Sequence, residues 1–174
     1  MIQTLCVSIL LIACQANGMN EELTKSLNSR PPLTIAVVGK PPQVAEKNIQ
    51  FRQIELGNLK EGKGYHALFI MPEYQKQASE PQFKAIYKKL NYPIFIMGAK
   101  KSVDVYMNDD IGYDDLPDSK DGMYAIGFAP FESKEEKQTF GFGLYNDVES
   151  KEIIKGTYSL VFQKIYEVLI NRSL

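Results

Sequence analysis

The chain reads as an α/β fold: a small sandwich around a partly parallel sheet, extended by an antiparallel hairpin and closed by a long C-terminal helix. Three observations carry this reading. Two short apolar runs, Ala67 to Met71 and Pro93 to Met97, flank a segment with helical periodicity, the pattern of a βαβ core. Two later strand-like stretches are joined by the polar link Glu132 to Gln138. The last stretch of the chain places apolar residues at steps of three and four.

Leu33 to Val38 (LTIAVV) is β-branched and apolar, and Gly39 ends it. Pro41-Pro42 cannot continue a strand and can open a short helix reaching about Lys47. From Ile49 to Leu56, Ile49, Phe51 and Gln53 alternate with Gln50 and Arg52, which predicts a partly exposed strand near a sheet edge. Asn58 to Gly64, rich in Gly and Lys, is a turn.

Ala67 to Met71 and Pro93 to Met97 are continuous apolar runs, as expected of strands covered on both faces. Between them, Gln82 to Leu90 sets Phe83, Ile86, Tyr87 and Leu90 on one helical face and leaves Lys84, Lys88 and Lys89 outside. Met123 to Phe131 and Thr139 to Asn146 form the hairpin. Tyr124, Ile126 and Phe128 then share a face, as do Phe140, Phe142 and Leu144, with small residues on the reverse. The small face invites the final helix, Val148 to Asn171, to pack closely. Ile154, Tyr158, Val161 and Ile165 form its buried stripe, and Asn146 or Asp147 caps its start.

Net charge is −1, spread along the chain, which provides no electrostatic footprint for nucleic acid. The first charged residue is Glu21. Before it, Leu5 to Ala13 is apolar apart from one Ser. A run of that length falls short of the roughly 20 residues a membrane-spanning helix needs, but suits the apolar core of a secretory signal. Leu11-Ile12-Ala13-Cys14 at its end resembles the lipobox of bacterial lipoproteins, although Met1 to Thr4 contains no Lys or Arg. The resemblance implies cleavage after Ala13 and a diacylglyceryl group on Cys14, which becomes the N-terminus of an extracytoplasmic, cell-membrane-anchored protein.

That resemblance organises the chain into a signal peptide (1–13), a lipidated N-terminus with a flexible spacer (14–32) and one α/β domain (33–174). The spacer holds Asn-Gly and Pro-Pro steps and a short helical turn near Glu21 to Leu27. With Cys6 lost and Cys14 lipidated, the domain retains no thiol for a disulfide or a Cys-ligated metal.

In open parallel sheets, ligands gather beyond the carboxyl ends of the strands. Those ends here are Gly39-Lys40, Pro72-Glu73-Tyr74 and Gly98-Ala99-Lys100-Lys101. Lys40, Glu73, Tyr74 and Lys100 are therefore the candidate binding residues, suited to a small polar or anionic ligand. No phosphate-cradling glycine motif is present, and His66, the single histidine, is read as structural. Asn108 to Gly122 holds six aspartates without the spacing of a calcium loop, so turns and solvation account for them. No catalytic set, metal site or cofactor is expected. The expected role is a non-enzymatic binding or interaction protein at the membrane. The alternatives are a lipid-anchored enzyme using carboxylates, Glu73 among them, or an exclusion or immunity factor meeting a partner protein through an aromatic hairpin.

Overall fold

A computed structural model describes residues 20–59, 64–130 and 138–172. The signal segment, Cys6, Cys14 and residues 132–137 of the polar link lie outside the described residues. Six strands form one sheet in the order β2-β1-β3-β4-β5-β6. They are β1 (Leu33–Val38), β2 (Ile49–Ile54), β3 (Ala67–Ile70), β4 (Ile94–Met97), β5 (Met123–Ala129) and β6 (Gln138–Gly143). The first four run parallel, and β4-β5 and β5-β6 are antiparallel, so the mixed sheet read from the sequence is present. β2 is an edge strand, as its alternation implies.

The sheet is covered on both faces, making three layers. On one face lie α2 (Gln75–Ala78), α3 (Pro81–Tyr87) and α4 (Asp104–Met107), which supply Ala78, Phe83, Tyr87, Val105 and Tyr106 to a core with Leu68, Ile70, Ile94 and Ile96. On the other lies α5 (Lys151–Arg172), which sets Tyr158, Val161, Phe162 and Ile165 against Ile35, Val37, Phe69 and Phe95. Alternation along β3 and β4 sends successive side chains into the two cores, which is why both strands are apolar throughout. Phe69 is central to the second core, with its ring within about 6 Å of those of Phe95, Tyr158 and Phe162.

Four local readings change. Residues 41–48 contain no helix; the β1–β2 connection is irregular, with Val44 packed on the α5-side core and buried Glu46 accepting from Ser159 Oγ at 2.5 Å. That link supplies its polar contacts through side chains rather than a helical ladder. Lys84 is not on the outer face of α3: it is buried, and its Nζ donates to the carbonyls of Asn108 (2.8 Å) and Ile111 (2.6 Å). A long stem lets an ammonium group reach a loop that a helical wheel does not show. α5 begins at Lys151, and Ser150 caps it by accepting from the Ile153 amide at 3.2 Å. Asn146 and Asp147, at φ 53° and 55°, instead turn the chain before it.

The fourth concerns the start of the domain. A helix, α1, covers residues 20–28 and buries Leu27 completely in the α5-side core. Asn48 Nδ2 donates to the carbonyls of Leu27 (2.9 Å) and Arg30 (3.1 Å), and Tyr166 donates to Pro31 O (2.6 Å). The folded unit thus includes residues 20–32, which the sequence reading assigned to a spacer. α1 rests on α5 at Gly156, where a Cβ would stand 2.7 Å from Asn20 Nδ2.

Candidate functional site

The sheet changes direction of growth at β1, which has β2 on one side and β3 on the other. Such a switch point opens a crevice at the carboxyl ends of the two central strands. Here β1 leads into Gly39-Lys40 and β3 into Met71-Pro72-Glu73, and the Lys40 amide donates to Glu73 Oε1 at 3.2 Å. Gly39 adopts φ +111°, and a Cβ there would lie 2.7 Å from both Glu73 Oε1 and Met71 Cβ. Only glycine permits that backbone beside the carboxylate.

A cleft of about 430 Å³ opens on the α5 side of this junction. Lys40 and Glu73 lie at its mouth together with Lys151 and Lys155 from the first turns of α5. Met71, Tyr124, Ile154 and Tyr158 provide apolar and aromatic surface, and Pro41 and Pro42 close one side. Three ammonium groups against one carboxylate make the rim cationic.

Tyr124 reaches this cleft because of a bulge in β5. The β5–β6 register passes from Met123 opposite Gly143 to Ala125 opposite Phe142, leaving Tyr124 as an extra residue. Tyr124 and Ala125 therefore both face α5, while Ile126 and Phe128 face the other core. The hairpin faces consequently differ from the expected arrangement. β6 sets Phe140 and Phe142 on the α5 side, beside the small Ala125 and Gly127 of β5, and stacks Phe140 on Phe95 at 6.0 Å. Gly141 instead meets the Met123 sulfur on the opposite side. Both phenylalanines are half-buried against the α5-side core.

The rings of Tyr124 and Tyr158 meet edge to face at 6.3 Å. Burial raises both phenols above their ordinary value. A hydrogen bond between the hydroxyls raises Tyr158 further and pulls Tyr124 the other way, as expected if Tyr158 donates. Both are neutral near pH 7, so the floor of the cleft carries no charge.

The other candidates separate. Tyr74 lines a larger hollow of about 920 Å³ beside Gln53, Leu56 and Gln77, on the side of the short helices. Lys100 lines neither space and its side chain is exposed. Its amide donates to Gln75 Oε1 (3.2 Å) and its carbonyl accepts from Ser119 (2.8 Å), which lead the chain after β4 toward the acidic loop. Gln75, missed in the sequence, is buried and also donates to Met97 O and Gly98 O, clamping the end of β4 to the start of α2. Lys101 is held away from the cleft by Leu116 O (2.6 Å) and Asp118 (3.0 Å).

His66 stands at the opposite end of the sheet, exchanging hydrogen bonds with Thr34: its Nδ1 accepts at 2.9 Å and its amide donates at 2.8 Å. The aspartates of the acidic loop diverge. Asp109 pairs with Lys88 and Asp114 with Lys76, while Asp115 accepts from the Gly112 amide and Asp121 from the Met123 amide. Among the described residues, no group of three His, Cys, Asp or Glu side chains converges as a metal site, and no helix is long and apolar enough to cross a membrane.

Fold and cleft together define the class: an open α/β domain with a crevice at the switch point of its parallel strands. Compared with known proteins, the chain matches no family model, no curated sequence and no solved structure at significance.

Proposed function

We propose that this chain is a non-enzymatic, extracytoplasmic binding protein, tethered to the cell membrane through lipidated Cys14, that holds a small anion-bearing ligand in the α5-side cleft. The observation that carries the reading is the meeting of the Lys40 amide and Glu73 at the switch point, in a cleft lined also by Lys151, Lys155 and two uncharged tyrosines. Apolar walls with a few convergent polar groups are the usual make-up of a small-molecule site. The lipobox-like Leu11 to Cys14 supports the tether.

Two measurements test this. Fatty-acid labelling in cells is expected in the wild type and lost in Cys14→Ser; an unlabelled wild type ends the tether reading. Titrating Cys14→Ser protein with inorganic phosphate should produce saturable NMR shifts at the Gly39, Lys40 and Tyr124 amides, weakened by Lys155→Ala. Shifts absent there, or unchanged by Lys155→Ala, end the binding reading.

A further inference from the structure

We infer that the ligand of this cleft is an anionic amphiphile taken from the membrane surface to which the chain is tethered; the inference rests on the tethered-binder reading above. Two independent observations lead to it. The first is reach. Cys14 and Asn20 are six residues apart, so the link extends at most about 20 Å. A domain of about 150 residues has a radius of gyration near 15 Å and is thus about 40 Å across. A link half that breadth keeps Asn20 within about 20 Å of the bilayer surface. Asn20 sits against Gly156 of α5, the neighbour of Lys155, and Lys155 lines the cleft. Asn20 and Lys155 also line a neighbouring hollow, so the cleft adjoins the part of the domain nearest the tether.

The second is the lining. A free inorganic anion needs only the ammonium groups, yet the surface behind them is Met71, Tyr124, Ile154 and Tyr158. A charged rim over an apolar floor matches a molecule with a charged head and an attached chain. The lysines take the head, and the first methylenes of the chain lie along the floor. Each buried methylene contributes about 0.8 kcal/mol in transfer, roughly a factor of four, so burial of even two distinguishes such a ligand from its bare head by about fifteenfold.

Octyl phosphate and inorganic phosphate, each titrated into Cys14→Ser protein, separate the possibilities. Octyl phosphate is expected to bind at least tenfold more tightly, and Ile154→Gln to shrink that ratio of affinities. Equal affinities overturn the amphiphile inference but leave the anion-binding reading standing; binding of neither ends both. For the membrane source, an unlipidated chain beginning at Cys14, its sole thiol, is coupled through Cys14 to a maleimide-bearing lipid and placed in phosphatidylcholine vesicles with or without phosphatidylglycerol. Acetylation of each lysine is then read by mass spectrometry. Phosphatidylglycerol should protect Lys40, Lys151 and Lys155, and leave Lys89, exposed on the opposite face, unchanged. Equal reactivity in both vesicles overturns the membrane source, and octyl phosphate binding then belongs to a soluble amphiphile.

Discussion

The amide of Lys40 and the carboxylate of Glu73, 33 residues apart in sequence, meet at 3.2 Å where β1 and β3 end. The contact depends on the glycine between Val38 and Lys40. With φ at +111° and two heavy atoms 2.7 Å from where a Cβ would stand, Gly39→Ala combines backbone strain with displacement of Glu73 and Met71. Expected is a loss of about 1–3 kcal/mol in urea unfolding, with altered amide shifts at Lys40. An alanine variant as stable as the wild type would show that the junction is more plastic than this geometry permits.

Gly127 and Gly57 form a contrasting pair. A Cβ on Gly127 would lie 2.5 Å from Phe95 Cδ1 and 2.9 Å from Ile94 O, so backbone has to move; one on Gly57 meets nothing within 4 Å. Gly127→Ala should cost about 1–3 kcal/mol. Gly57→Ala should be neutral or stabilise by up to about 1 kcal/mol, through the unfolded state. Denaturant midpoints of the two variants, measured side by side, check the difference.

Lys84 fastens the loop after α4. Lys84→Ala removes both hydrogen bonds to Asn108 and Ile111 and most of a buried stem, and is expected to cost about 2–4 kcal/mol. Lys84→Met keeps the stem and relieves the buried charge, so its cost should be smaller. Both variants should be cleaved faster than wild type within residues 108–122 under limited proteolysis. Equal resistance would mean that the ion pairs of Asp109 and Asp114 suffice to hold the loop.

Alkaline pH should unfold the domain from about pH 10 upward. Burial raises Tyr92 to about 12 and holds Tyr87, Tyr106 and Tyr158 above the ordinary 10.0 as well. Above pH 10 the unfolded chain has lost phenolic protons that the folded chain keeps. Folded molecules then bind more protons, and stability falls as pH rises. These phenols contribute fully below pH 10, and Tyr92 loses its contribution as pH passes through about 12. Lys84, lowered by burial, has the opposite slope just below 10.5, but it is one group against several. Circular dichroism and tyrosinate absorbance should change together; tyrosinate forming well before unfolding would contradict the burial of these rings.

Periodicity made the two-faced strands legible, because an apolar run between turns has few other uses. β3 and β4 read directly, as did the stripe of α5 from Tyr158 to Ile165. Lys40 and Glu73 were legible too, since any parallel sheet gathers its strand ends on one side. Tyr124 was not. A single extra residue in β5 reverses its face, and nothing in the tripeptide Met123-Tyr124-Ala125 marks the bulge. Lys84 and Gln75 escaped for a related reason: their partners lie at least 22 residues away in sequence, and polar side chains give no periodic signal when buried singly. Lys100 shows the converse, a strand-end residue drawn aside by a clamp visible only in three dimensions.

The position of α5 has a consequence for the order of events in the chain's life. It is the last element, yet Tyr158, Val161, Phe162 and Ile165 complete the core over β1 and β3, which come first. Contacts of such long sequence separation form slowly. Until the final 22-residue helix is available, the central strands have one face uncovered and cannot lock. A nascent chain built this way cannot complete the core over β1 and β3 before α5 has been made.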